Sequence, residues 1–165
     1  MAKVNKKDLE RQYKRLNKQS KREVQVSMDR VARAAGLQVL RGAQDRVPSR
    51  DGLLRASLML GHKENVFDFV LNGLRAEITI GTSLSYARYV EEGFTQRKGQ
   101  FVPGYWDKEK FIYVPDHPGG MILKGKRIPG VHYLARSEAE VESIMDELVK
   151  EELDDLARRL FPDGR

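Results

Sequence analysis

From Leu9 to Val47 the apolar residues recur at the spacing of one helix face. Leu9, Tyr13, Leu16, Val24, Met28, Val31, Ala35, Val39, Ala43 and Val47 step by threes and fours, with a single gap at polar Ser20. No proline interrupts the run before Pro48, so the pattern predicts one helix over 6–47. Gly36 and Gly42 weaken it by about 1 kcal/mol each relative to alanine. At about 1.5 Å per residue such a helix is about 60 Å long. A chain of 165 residues supports one modest core, which cannot bury a helix of that length. The first half, with Lys, Arg, Asn and Gln on most faces, is expected to project. The second half, Val31–Val47, is richer in Ala, Leu and Val and is expected to dock.

The charge is unevenly placed. Residues 1–50 carry 14 Lys and Arg against 5 Asp and Glu, and 137–163 carry 10 acidic residues against 3 basic. The chain as a whole is at +6. A basic first segment is the footprint of a nucleic-acid binder, and equally of a solvated helix face. No cysteine is present, so disulfides and thiolate metal sites are excluded. Met1–Arg22 is polar and basic, unlike a signal peptide, and no apolar run approaches a membrane span. The expectation is a protein that acts in the cytosol or in an assembly built there.

The remainder alternates short signals. Pro48 stops the helix, Ser49–Gly52 reads as a turn, and Leu53, Leu54, Leu58 and Leu60 lead into a strand over 57–62. Val66–Leu71 and Leu74–Gly81 read as a hairpin about Asn72-Gly73. Ser85–Gly93, SYARYVEEG, follows: Tyr86, Tyr89 and Val90 share a helical face, Thr82 or Ser83 can cap it, and Gly93 can stop it in a left-handed conformation. This central helix, 84–92, is expected to pack its two tyrosines and Val90 on the hairpin. Phe94–Lys110 reads as a long loop carrying Arg97, Lys98, Phe101, Tyr105 and Trp106. Such a mixture stacks nucleobases or anchors a protein interface. Short strands at Lys110–Pro115 and Met121–Leu123 precede an acidic helix over 136–161, with Ser137 as a cap. The fold class expected is α+β: long N-terminal and C-terminal helices packed on a small, mainly antiparallel sheet with a short central helix. It is read as a single domain, 1–165, with the sheet in 50–135 and the loop at 94–110.

Residues suited to catalysis do not assemble in the sequence. His62, His117 and His132 are widely spaced, and neither a phosphate loop nor a GxGxxG is present. Glu91 and Glu92 diverge by about 100° on a helix. Asp116-His117 is followed by Pro-Gly, which marks a turn, although a hydrolase using His117 with a carboxylate remains an alternative. No enzyme, cofactor or metal is expected.

The order of motifs resembles the neck or minor-tail-component family of long-tailed bacteriophages, also described as tail-completion or head–tail connector proteins. The likeness rests on Gly52, Leu53 and Ser57; on Ile80, Gly81, Thr82, Tyr86, Ala87, Tyr89, Val90, Glu91 and Gly93; and on Pro129, Gly130, Tyr133, Leu134 and Ala135. It departs at Phe94, where many members have Thr or Ser. The resemblance implies a non-enzymatic virion protein acting at the head–tail junction, in a ring with other head, neck and tail proteins. The alternative is a nucleic-acid-binding protein that uses the basic helix. Interface candidates are Arg11, Lys14, Arg15 and Lys18 on the helix and Arg97, Lys98, Phe101, Tyr105 and Trp106 on the loop. Tyr86, Tyr89, Val90 and Gly93 are the expected structural centre. The basic arm of one copy is expected to meet the acidic end helix of the next, with the isolated protein monomeric until a template gathers the copies. A transient contact with DNA is compatible with this, and no membrane contact is expected.

Overall fold

The computed structural model describes residues 6–48 and 52–161. The expected turn at Ser49–Gly52 lies largely outside them. The chain forms two compact units, one from the described residues of Met1–Leu84 and Tyr133–Arg165, the other from Ser85–His132.

In the first unit α1 runs Lys6–Arg46 as one 41-residue helix. It ends two residues before Pro48, where that proline disfavours helical geometry for its predecessor. Ala35, Gly36, Val39, Leu40 and Ala43 are buried, at the threes and fours the sequence shows. Next comes α2, Gly52–Ser57, where a strand over 57–62 was expected. Leu54, Ser57 and Leu58 are all fully buried and stand at i, i+3 and i+4, a helical face that the leucine run disguises as a strand. The Ser57 hydroxyl donates to the Leu54 carbonyl at 2.7 Å, which satisfies it in the interior.

The hairpin is present as β1 (Asn65–Asn72) and β2 (Arg75–Thr82), antiparallel with Phe67 opposite Ile80 and Phe69 opposite Ile78. Its two-residue turn is Gly73-Leu74, one residue later than expected. Gly73 has φ +62°, and a positive φ at the first loop position is what a type II′ hairpin demands. The element that packs on the hairpin is α1. A Cβ on Gly36 would stand 2.5 Å from Ile78 Cδ1, so glycine lets the helix and sheet approach. Arg33 lies over the Phe69 ring, 4.7 Å from its centroid.

The acidic end is two helices, α4 (Tyr133–Ser143) and α5 (Met145–Leu160), broken at Ile144. Ser137 does not cap. It sits in the second turn of α4, buried, donating to the Tyr133 carbonyl at 2.7 Å and accepting from Arg46 at 3.2 Å. The core cluster joins Ala35 and Val39 of α1 to Val141 of α4, with Ile80, Leu134, Met145 and Leu148 packed around it.

Between α1 and α5 lies a charged knot. Buried Ser27 donates to Glu152 at 2.8 Å and accepts from Arg159 at 2.7 Å. Arg159 Nη2 also reaches Glu152 at 2.7 Å, Arg30 stands 3.6 Å from the same carboxylate, and Arg159 Nε lies 3.4 Å from Glu23 without hydrogen-bond alignment. At the other end Arg46 pairs with Glu140 at 2.6 Å. Basic and acidic helices thus meet within one chain over the second half of α1, which corrects the expectation that they meet only between copies. The cause is the antiparallel return of α5, which brings Arg159 to Glu23 and Glu152 to Ser27.

Burial alone would raise the Glu152 pKa. The hydrogen bonds from Arg159 and Ser27 and the charges of Arg159 and Arg30 outweigh it, and the carboxyl is held below its ordinary range. A carboxylate depressed in the folded state adds stability above its unfolded value, about 4.3 for glutamate, and that stability is lost as pH falls through the folded value. The melting temperature of the native protein is therefore expected to fall more steeply between pH 6 and pH 3 than that of Glu152→Gln. Parallel falls would remove Glu152 from the acid response.

In the second unit α3 is Ala87–Glu92, beginning at Tyr86 with no side-chain cap. It is shorter than the expected 84–92, and Thr82 instead accepts from the Leu84 amide at 3.3 Å. Ala87 is its buried residue, while Tyr89 is 58% exposed. The expectation of Tyr89 as a core residue is corrected: Tyr89 stacks edge-on with Phe94, centroids 5.9 Å apart. β3 (Gly93–Thr95) pairs antiparallel with β7 (Arg127–Pro129). The expected loop 94–110 carries most of β3 and all of β4 (Phe101–Asp107), which is the middle of a three-stranded sheet between β5 (Lys110–Tyr113) and β6 (Gly120–Ile122). Gly99, Pro103 and Gly104 read as loop residues, but the Gly104 amide donates to Gly119 at 2.9 Å and the Pro103 carbonyl accepts from Val114 at 3.3 Å. All strand pairs are antiparallel, and the α+β class holds.

Candidate functional site

The β5-β4-β6 sheet displays aromatic side chains on both faces. Strand alternation puts Phe101 and Tyr105 on one side with Ile112 and Ile122, and Trp106 on the other with Phe111 and Tyr113. Phe101, Tyr105, Trp106, Tyr113 and Ile122 are all exposed. Trp106 meets Phe111 edge-on at 5.3 Å, and Tyr105 lies 5.8 Å from the His117 ring. Arg97 and Lys98, in the connection from β3 to β4, are exposed as well. The five candidates from the expected loop therefore belong to one unit, three of them on the central strand β4. Tyr113 and Ile122 were not among the interface candidates, although the alternation in the strand read over Lys110–Pro115 does set Phe111 and Tyr113 facing one way.

The centre of the SYARYVEEG stretch frames a second surface. Tyr86, Tyr89, Val90 and Phe94 line an open apolar groove of about 530 Å3 with Ile128, Pro129 and Val131. Its floor is fixed by backbone bonds, Val131 N to Val90 O at 2.8 Å and His132 N to Glu91 O at 3.0 Å. Arg127 adds a bond to the Glu92 carbonyl at 2.9 Å. Gly93 has φ +74° and ψ 178°, which is not the left-handed helix stop expected but an extended conformation open essentially to glycine. A Cβ there would collide with the Ile128 carbonyl oxygen and the Gly130 nitrogen, and one on Gly130 with the Glu91 carbonyl. The two glycines mark the place where the strands following α3 and preceding α4 cross.

On α1, Arg11, Lys14, Arg15 and Lys18 are exposed, as are Lys21 and Arg22. They form a separate basic surface in the first unit. Two of the three histidines bond within turns: His62 Nδ1 accepts from the Glu64 amide at 3.2 Å, and His117 Nδ1 from the Gly119 amide at 3.0 Å. No group of residues able to hold a metal ion occurs among the described residues. No helix among them is long and apolar enough to cross a membrane.

Comparison with known proteins agrees with the motifs. Residues 10–93 match the family described as "Bacteriophage HK97-gp10, putative tail-component". The chain is 30% identical over 109 residues to the phage-like element PBSX protein XkdI of Bacillus subtilis strain 168, across 65% of this chain and 66% of that protein. It is 33% identical over 81 residues to the uncharacterized protein YqbI of the same strain, across 45% of this chain and 47% of the relative. The chain thus spans about two thirds and about half of these relatives' lengths. No solved structure matches. The matched segment takes in α1 from Glu10, α2, the hairpin and α3 up to Gly93, so the long helix, the hairpin and the tyrosine-bearing centre fall within the family match, and the chain belongs to the HK97 gp10-like family of bacteriophage tail components.

Proposed function

We propose that this chain is a non-enzymatic structural protein of a tailed-phage virion that acts where the tail joins the head, as a subunit of a ring assembled in the host cytoplasm. The observation that carries the reading is the family match over residues 10–93, together with the relationship to a protein of a phage-like element. The form of the second unit supports an assembly role. Its small sheet exposes large apolar side chains on both faces, and apolar patches of that kind mark contacts with other proteins. Partners are then the head, neck and tail proteins that border the ring.

The test is a phage carrying a deletion of this gene, with and without the chain supplied in trans. Loss of infectivity with filled heads and finished tails lying unjoined, restored by the chain, is expected. Whole infectious particles would reject a structural role. Absence of tails altogether would reject the junction and leave an earlier step in tail building.

A second reading, DNA binding through α1, is favoured by the exposed Lys14, Arg15, Lys18, Lys21 and Arg22. Neutralising several phosphates would make duplex affinity fall steeply with salt. A shallow salt dependence of the purified chain would dismiss it.

A further inference from the structure

The hairpin is a sheet of its own, so β1 and β2 each keep an edge with no strand beside it. Beyond β2 stand α4 and α5, where Ile78 and Ile80 line an open groove of about 460 Å3 with Glu138, Val141, Glu142 and Met145.

The turn fixes which backbone groups of β1 point outward. Gly73 and Leu74 link Asn72 to Arg75, and a loop of that length is closed by hydrogen bonds between its flanking residues. Bonded and non-bonded pairs then alternate along an antiparallel ladder. Asn72, Val70, Asp68 and Val66 therefore bond to β2, and the Ser83 amide continues the series by donating to the Glu64 carbonyl at 2.9 Å. The N–H and C=O groups of Phe67, Phe69 and Leu71 point out of the edge. Among the described residues they have no hydrogen-bond partner. On either side of them the outward groups are taken: the Asn65 amide donates to the His62 carbonyl, and the Gly73 carbonyl accepts from Gln25. The open stretch thus begins at Phe67 and ends at Leu71.

Proteins keep such an edge from pairing with lysine, proline or a bulge. Asn65–Asn72 contains neither lysine nor proline, and its register against β2 runs without a slip. Asp68 is its one charge. Asp68 and Val70 are exposed, whereas Phe67 and Phe69 lie against Gly36 and Arg33 of α1.

We propose that β1 pairs antiparallel with β1 of a second copy about a two-fold axis at Phe69, with Phe67 of each copy opposite Leu71 of the other. This register satisfies every open group of Phe67, Phe69 and Leu71, and it sets Asp68 opposite Val70. With the axis at Asp68 two like charges would stand directly opposite and repel. With the axis at Val70, Phe67 would meet Gly73, whose carbonyl is already engaged. Both α1 helices then lie on one face of a four-stranded sheet. Each packs over its own hairpin, so their axes are about 10 Å or more apart, a distance at which helices fit side by side. Main-chain bonds supply the affinity, as in other strand additions. A two-fold contact closes on itself and builds no ring, so it is independent of the junction reading and its failure leaves that reading untouched.

The chain has no cysteine, which makes disulfide trapping clean. Residues opposite each other in a non-bonded pair bring their Cα atoms to about 4.5 Å, within disulfide reach. Asp68→Cys and Val70→Cys proteins are mixed under mild oxidation. The mixture is expected to form a covalent dimer about tenfold faster than either protein alone, and the double variant is expected to stop at a covalent dimer. Faster linking of either single variant with itself, or a ladder of oligomers from the double variant, would overturn the pairing. Sedimentation without cysteines is the second measurement, and the native chain is expected to show a monomer–dimer equilibrium. Val70→Asp sets a carboxylate opposite each Asp68 and is expected to weaken the dimer about tenfold, with Asp68→Lys in the same chain restoring it. A native chain that stays monomeric at every concentration, or a Val70→Asp chain that dimerises as well as the native one, would overturn the proposal.

Discussion

Gly93→Ala is expected to destabilise the Ser85–His132 unit by about 3 kcal/mol or more. Two costs combine. The backbone conformation, φ +74° and ψ 178°, lies in a region that residues with a Cβ reach only with strain of about 1–3 kcal/mol. The added carbon also meets the Ile128 carbonyl oxygen and the Gly130 nitrogen across the strand pair. Those atoms cannot retreat freely, because Val131 and His132 are tied to the Val90 and Glu91 carbonyls, and each hydrogen bond released costs about 1 kcal/mol. Gly99→Ala supplies the control: its φ is +81° but nothing lies within 4 Å of the new carbon, so only the strain remains. Amide exchange at Val131 and His132 is the direct readout. It is expected to accelerate strongly in Gly93→Ala and little in Gly99→Ala, and equal exchange in the two would contradict the crossing argument.

Two tyrosines should part company in the same way. Tyr133 is 1% exposed, the largest fully buried side chain among the described residues, and Tyr89 is 58% exposed. Truncating a buried aromatic to alanine costs about 3–5 kcal/mol, counting both transfer and the cavity left behind. Tyr133→Ala is therefore expected to lower the urea midpoint strongly, since the loss is a large share of a domain's whole margin of about 5–15 kcal/mol. Tyr89→Ala gives up an edge contact with Phe94 and little burial, about 1 kcal/mol. Equal midpoints for the two variants, measured at one protein concentration, would show that burial in the isolated chain does not rank them.

That ranking is the reverse of what the sequence suggests, and the reason is physical. Tyr86, Tyr89 and Val90 do share a helical face, but spacing reports which residues lie together, not whether anything covers them. α3 has six residues, too few to bury a full stripe, and its face opens on a groove. Tyr133 stands at the start of α4 beside His132, and no periodic run surrounds it to advertise burial. Where a pattern runs long it was legible: the unbroken α1 and the alternation that sets Phe67 and Phe69 against Ile80 and Ile78. The hairpin turn was displaced by one residue because Asn72-Gly73 and Gly73-Leu74 both place glycine within reach of a tight loop, and only the paired register decides. β4 was hidden by Pro103 and Gly104, residues tolerated here because Gly104 still donates to Gly119. The assembly candidates were legible as residue types, since basic and aromatic side chains stayed exposed. Glu138 was read as a first-turn acid of a helix capped by Ser137 and Glu142 only as acidic content, because nothing in the sequence tells that they line a groove with Ile78 and Ile80 of β2.

The first unit is discontinuous: its helix α1 and hairpin precede the second unit, and α4 and α5 come after it. During synthesis this imposes an order of events. A nascent chain that has left the ribosome as far as His132 already holds every residue of the second unit, so β3 can find β7 and β4 can find both its neighbours. At that moment Ala35 and Val39 still lack Val141, and Ser27 lacks Glu152 and Arg159. Translation from the N-terminus thus leaves the older half of the polypeptide unfinished while the younger middle completes itself. The helices α4 and α5 act as a closing latch, and a message cut short before them yields a chain whose α1 keeps the hairpin but lacks Val141, Glu152 and Arg159.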